Sequence, residues 1–384
     1  MRRLLIVCIV AMVYALLILS PIRAAGWTAE TTKLDLLAGP ARYSAYLAPD
    51  GSQFAYFSAN SLCSYTLDGE KQNCFDFDDT DVDVDLETVQ WSPDSTRLVF
   101  SEPFLIKFRD SNIWMYDTTT GQLTDLSQDP TRGKGNLLTN PNNETYTIDL
   151  VPQWAADGHS VYFVRYVFTK PQEARAVIFR LHLDDGTAEE VKKIETNAPI
   201  STYAIALNAD DTQMAFNMDT RGQERDGTWF MDLSDRSAHF AAAAVQDTFP
   251  TSYQFSPDGS HLLVTGVSQH ANTGDFQPEY SPVYTIPVAG GRQTDLDTER
   301  YVFGAGWSPS GTALVYNTFS PQHPEEEGVF IAAAPREKGE LVLAGRYLVP
   351  TGLGRLPLTW AANNTLLLSD GTDFKLVVVR LTEG

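Results

Sequence analysis

Basic residues, cysteine and histidine are all scarce in this chain of 384 residues, and each shortage excludes something. Lysine and arginine number 28 against 49 aspartates and glutamates. Three of the 28 lie in the first 25 residues, which hold no acid, so residues 26–384 carry 25 basic and 49 acidic side chains, a balance of −24. A body so acidic repels phosphate backbones and anionic headgroups, which argues against nucleic-acid partners and against electrostatic docking on a membrane. Three cysteines are too few for a disulfide-dense scaffold or a multi-thiolate metal centre. The six histidines are scattered, and no G-x-S-x-G elbow is present, so serine-hydrolase chemistry has no nucleophile. No motif calls for a catalytic residue, a cofactor or a metal. What the chain does have is apolar mass: 43% hydrophobic residues and seven tryptophans are too rich for a disordered chain and enough for a large core.

The N-terminus carries an address. Arg2 and Arg3 precede an uncharged stretch from Leu4 to Ile22, and Arg23 closes it. Its 19 residues would extend about 28 Å as a helix, close to the ~30 Å hydrocarbon thickness of a bilayer. The stretch fits a cleaved signal peptide or a retained membrane anchor, and both send residues 26–384 out of the cytoplasm.

One short pattern then recurs seven times: LAPDGSQFAYF at Leu47, WSPDSTRLVF at Trp91, WAADGHSVYF at Trp154, LNADDTQMAF at Leu207, FSPDGSHLLV at Phe255, WSPSGTALVY at Trp307 and WAANNTLLLS at Trp360. The residue three beyond each lead is Asp50, Asp94, Asp157, Asp210, Asp258, Ser310 or Asn363, and successive gaps average about 52 residues. Each copy reads as a β-hairpin. A large apolar residue enters a Pro-Asp-Gly or related turn, and apolar residues then alternate with period two, as at Phe54 and Tyr56 or Leu262 and Val264. The seventh copy fits only if its turn is one residue shorter, which puts Leu366 and Leu368 in the apolar places. A second hairpin follows most copies, giving four strands per unit.

A four-stranded unit of this size cannot bury both faces by itself, so the units must stack around an axis. The expected fold is therefore all-β, a seven-bladed propeller of four-stranded antiparallel blades spanning residues 26–384. Its lead residues from Leu47 to Trp360 form the packing layer between blades. After Phe374 the chain supplies only a third strand to the last blade. Leu34-Asp35-Leu36 lies as far before Asp50 as Thr294-Asp295-Leu296 lies before Ser310, so an N-terminal strand is expected to complete that blade and close the ring.

The units WSPDS at Trp91, FSPDG at Phe255 and WSPSG at Trp307 resemble the propeller repeats of TolB-type extracytoplasmic proteins. They are also similar to the non-catalytic propellers of prolyl-oligopeptidase-type enzymes. The resemblance covers roughly residues 40–384 and implies fold more than function. TolB proper has an α/β domain ahead of a six-bladed propeller, whereas this chain has seven copies, so it is not TolB and TolB's partners are not carried over.

Strand direction puts the Pro-Asp-Gly turns on one face and the loops between second and third strands, with the links between blades, on the other. The long segments fall on this second face, among them Glu102–Ser111, Arg165–Ala174, Met218–Gly227, Gly266–Ser281 and Thr318–Gly328. An N-terminal strand that ascends as a fourth strand would leave any tether on the opposite, short-turn face.

From these loops the sequence suggests an extracytoplasmic, monomeric, non-enzymatic propeller that binds a protein or glycan through Phe104, Arg165, Tyr166, Arg221, His270, Tyr280 and His323. The alternative is a polysaccharide lyase or hydrolase with a metal or acid–base site near His270 and His323, helped by Glu325, Glu326 and Glu327. The acidic run from Asp76 to Glu87 is either a solvated link or a calcium loop lacking the spacing of an EF-hand. Cys63 and Cys74 flank a turn at Asp68-Gly69, which would set them opposite each other for a disulfide.

Overall fold

The computed structural model describes residues 26–384 apart from 39–42, 59, 79, 104–109, 130–131, 133–144, 171–172, 195–201, 220–225, 244–247, 334–337 and 352–356. The described residues form seven antiparallel sheets of four strands each. Six follow chain order from the inner strand outward. The seventh runs Tyr347–Leu348, Thr365–Asp370, Lys375–Glu383 and then Trp27–Leu37, so the expected N-terminal strand does complete the last blade. Trp27 pairs with Glu383 and Lys33 with Val377, which places Trp27 at the short-turn face. Among the described residues no helix is long and apolar enough to cross a membrane, and the apolar stretch before Ala25 lies outside them.

The hairpin grammar is enforced locally. In the first, second and fifth blades, one carboxylate oxygen of Asp50, Asp94 or Asp258 accepts the backbone N–H two residues on, at Ser52, Thr96 and Ser260 (2.9, 3.2 and 3.0 Å). This is the side-chain turn that makes Asp favourable there. Gly51 and Gly259 occupy the left-handed region at φ 70° and 69°. The lead residue then pairs with the residue seven positions on, as in Trp91 with Leu98 and Trp307 with Leu314. In the seventh copy Trp360 bridges Leu366, six positions on, so that turn is one residue shorter as the sequence requires.

The lead residues form a packing column. Leu47, Trp154, Phe255, Trp307 and Trp360 are buried, while Trp91 and Leu207 are half-buried. Two of the indoles also stitch blades together: Trp91 Nε1 donates to the Tyr46 carbonyl (2.9 Å) and Trp154 Nε1 to the Gln90 carbonyl (3.2 Å). Closure is dense. Trp27 meets Trp360 edge to face at 5.2 Å, Ala45 N–H donates to Pro350 O (2.8 Å), and Asn363 Nδ2 donates to Gly51 O (2.9 Å). Cys63 stands opposite Cys74 between the third and fourth strands of the first blade, and the two are joined as a disulfide.

One loop expectation is corrected. Arg165–Ala174 is not a loop: the strands Ser160–Lys170 and Glu173–His182 continue through it, with Lys170 paired to Glu173. The pairing carries the strands beyond the expected end because Tyr166, Val167 and Phe168 continue the β-branched and aromatic pattern of the strand, and residues 171–172 lie outside the described residues.

Candidate functional site on the long-loop face

The two histidine loops of the fifth and sixth blades are built on rigid strands and meet. After the strand His261–Ser268, one helical turn at Gln269–Asn272 carries His270, and a second turn at Pro278–Tyr280 carries Tyr280. The imidazole lies flat on the phenol ring, with centroids 3.6 Å apart and planes 4° from parallel. Asp275 Oδ2 sits 3.8 Å from His270 Nδ1, and the Asp275 N–H donates to the His270 carbonyl at 3.0 Å. The same loop sends Phe276 edge-on against Tyr301 (5.3 Å) and Phe319 (4.7 Å).

Phe319 opens the sixth-blade loop. Its neighbour Ser320 accepts the His323 N–H at 3.1 Å, and His323 Nδ1 lies 3.4 Å from Glu325 Oε1. The Glu325 carboxyl is held below its ordinary value by its own backbone N–H and by His323. Glu327 turns inward, its side chain only 2% exposed. Arg346 grips both of its oxygens at 2.7 Å, and Ser320 N–H donates to Oε1 at 3.0 Å. The Arg346 guanidinium also covers the Phe319 ring at 4.9 Å. A fork-to-fork pair over an aromatic ring fixes the base of the loop, a geometry that lysine could not reproduce. The result is a half-buried aromatic shelf of Phe276, Phe303 and Phe319 flanked by two imidazole–carboxylate pairs. Such a surface offers ring faces for the C–H side of a sugar and titratable groups for proton transfer.

The other expected contact residues fare differently. Tyr166 does not reach the surface: it is fully buried, donates to Thr202 O (2.7 Å) and accepts the Thr202 N–H (2.6 Å), so it pins the third blade to the fourth. Arg165 is bound bidentately to the wholly buried Asp149 at 2.7 Å and covers the Phe163 and Phe179 rings. Burial pushes the Asp149 carboxyl up against the pull of that arginine. Tyr166 belongs to the interior and Arg165 is half-buried over Asp149, because stacked blades bury both faces of the sheets. Phe104 and Arg221 lie outside the described residues. In the acidic run, Asp81 pairs with Arg132, which also holds Glu102, while Val82, Val84 and Leu86 pack on the core of the first two blades. Asp79 lies outside the described residues.

Sequence reasoning missed Phe276, Phe319 and the Glu327–Arg346 pair. The only available signal was an aromatic residue in each of two adjacent long segments.

No family model matches the chain, and no curated protein matches it in sequence. Solved structures do match its fold. An oligogalacturonate lyase solved in complex with manganese is 12% identical, with 94% of this chain and 99% of that one covered and a TM-score of 0.59. An oligogalacturonate lyase from Vibrio parahaemolyticus is 10% identical, with 93% and 98% covered and a TM-score of 0.58. The β-propeller domain of the trilobed protease from Pyrococcus furiosus is 11% identical, with 89% and 98% covered and a TM-score of 0.52. These matches agree with the class that the sheets define, a seven-bladed β-propeller. They also correct the expectation of a non-enzymatic binding propeller: the ring matches two enzymes from end to end, so the fold gives no ground for setting catalysis aside.

The manganese in the first of those structures invites a test of fit. Among the described residues no three His, Cys, Asp or Glu side chains converge as metal ligands. Glu327 is committed to Arg346 and Glu325 faces His323, so the expected cluster of His270, His323 and the three glutamates does not assemble. The described residues do not fit a resident metal.

Proposed function

We propose that this propeller acts on polymeric or oligomeric sugar as a lyase, holding the chain across the long-loop face beside His270 and His323. The observation that carries the reading is the end-to-end match to two oligogalacturonate lyases. The aromatic shelf between two imidazole–carboxylate pairs supports it. In such an elimination a base takes the proton beside the uronate carboxyl, the electrons form a carbon–carbon double bond, and the glycosidic oxygen leaves with a proton from an acid. His270, held flat against Tyr280, is assigned the base. The His323–Glu325 pair on the neighbouring loop is assigned the acid.

The test is incubation of the purified protein with polygalacturonate, its oligomers, methyl-esterified pectin and alginate, with and without added manganese. Formation of the conjugated double bond is followed by ultraviolet absorbance. Product is expected from at least one uronate polymer, and His270→Ala should lower kcat by roughly 10²- to 10⁴-fold without changing the melting temperature. Absence of double-bond formation from every polymer under both conditions would end the lyase reading. The arginine-flanked apolar stretch before Ala25 and the Cys63–Cys74 bond support a place outside the cytoplasm, and the glycan partner belongs to the lyase reading itself. The WSPDS, FSPDG and WSPSG turns support kinship with the TolB-type repeat.

A further inference from the structure

The axis of the ring holds a second feature, away from the histidine loops. A cavity of about 400 Å³ occupies the short-turn half of the central channel, reaching Pro49 and Pro257 at the turns. That volume lies in the range of small-molecule sites. Among the described residues its wall contains no Asp, Glu, Lys, Arg or His, in a chain with a net charge of −21. The two tyrosines of the wall turn their hydroxyls elsewhere: Tyr46 to the Leu86 carbonyl and Tyr253 to Thr228 (3.0 Å).

The polar groups that remain are carboxamides and hydroxyls. Gln90, Gln153 and Gln254 occupy the same repeat position in three blades, each immediately before its lead residue Trp91, Trp154 or Phe255. Gln254 spends its oxygen on the Trp307 N–H (3.3 Å), whereas no hydrogen bond ties the Gln90 or Gln153 side chain to the described residues. Thr351, 7% exposed in the same wall, has an Oγ1 with no hydrogen-bond partner. A buried hydroxyl left unpaired costs free energy until something supplies its partner. The rings of Trp91 and Trp360 complete the wall.

We infer that this axial cavity is a binding site for an uncharged polyhydroxylated molecule, a neutral mono- or disaccharide. Each carboxamide both donates and accepts, which matches hydroxyls that do the same. A carboxylate brought here would lose its hydration with no cation among the described wall residues to replace it. The site is separate from the His270 face and stands whether or not that face is catalytic.

The test is calorimetric titration of the whole protein with galactose, lactose and galacturonate, with tryptophan fluorescence as a second readout of the wall. Galactose or lactose is expected to bind saturably and galacturonate at least tenfold more weakly. Gln90→Leu and Gln153→Leu should each weaken the neutral sugar tenfold or more with an unchanged melting temperature, and His270→Ala should leave its affinity unaltered. The inference is overturned if neither neutral sugar binds at millimolar concentration, if both leucine variants bind as the parent does, if galacturonate binds equally well, or if His270→Ala abolishes binding.

Discussion

Two buried indoles that look equivalent in the repeat differ in one hydrogen bond, and that difference sets a measurable ranking. Trp307 is 4% exposed and packs among Val302, Leu314 and Tyr316, but its Nε1 has no partner. Trp154 is 8% exposed, donates to the Gln90 carbonyl at 3.2 Å and lies under the Arg97 guanidinium at 4.8 Å. Burying about 200 Å² of tryptophan at ~25 cal/mol/Å² contributes roughly 5 kcal/mol. Compactness of the unfolded chain lowers this by about a quarter. Trp307→Ala should therefore cost about 3 to 4 kcal/mol. Replacement by phenylalanine separates packing from hydrogen bonding. Trp307→Phe keeps most of the contact and removes an unpaired buried N–H, whereas Trp154→Phe gives up a hydrogen bond between blades worth about 1 kcal/mol and weakens the cation–π contact. Urea unfolding at 25 °C, followed by circular dichroism, should place Trp154→Phe at least 1 kcal/mol below Trp307→Phe. A loss under about 1 kcal/mol for Trp307→Ala, or the reverse order of the phenylalanine variants, would refute the packing-column account.

The ring-closing strand gives a second prediction: removing residues 26–37 bares the edge of Lys375–Glu383 and should produce oligomers on size-exclusion chromatography, where the parent runs as a single species. Replacing Cys63 and Cys74 together by serine frees a loop with a sequence separation of 11 and should lower stability by about 2 to 3 kcal/mol in a denaturant titration. Acid stability carries a signed expectation at Asp258, whose carboxyl is lowered to about 2 by the Ser256 hydroxyl and the Ser260 N–H and hydroxyl. A lowered folded value means that its contribution is present above the unfolded value near 4 and fades as pH falls toward 2. Asp258→Asn should flatten the acid side of a stability–pH curve, and an unchanged slope there would contradict the turn geometry.

The blades were legible in the sequence because each is made by contacts close along the chain. The Asp50 and Asp258 turns, the alternation of Leu262 with Val264 and the spacing of Trp307 from Leu314 are all contained within a dozen residues. The number of repeats then followed from copying, and closure followed from the missing fourth strand that Trp27–Leu37 supplies. Even the shortened seventh turn at Asn363 and Asn364 was visible as a one-residue slip in the apolar pattern.

The site obeyed no such rule. Tyr166 looked like a loop aromatic, but a propeller buries both faces of its sheets, so alternation along a strand cannot say which side chain reaches water. Arg165 looked available until the third blade set it against Asp149. Phe276 and Phe319, 43 positions apart, meet only because adjacent blades hold their loops side by side. Gln90, Gln153 and Gln254 share a wall only because the ring brings them around one axis. Local hydrogen bonding and period-two burial determined the blades and their count from sequence alone. Contacts between blades, which no local pattern encodes, decided what the loops and the axis present to a ligand.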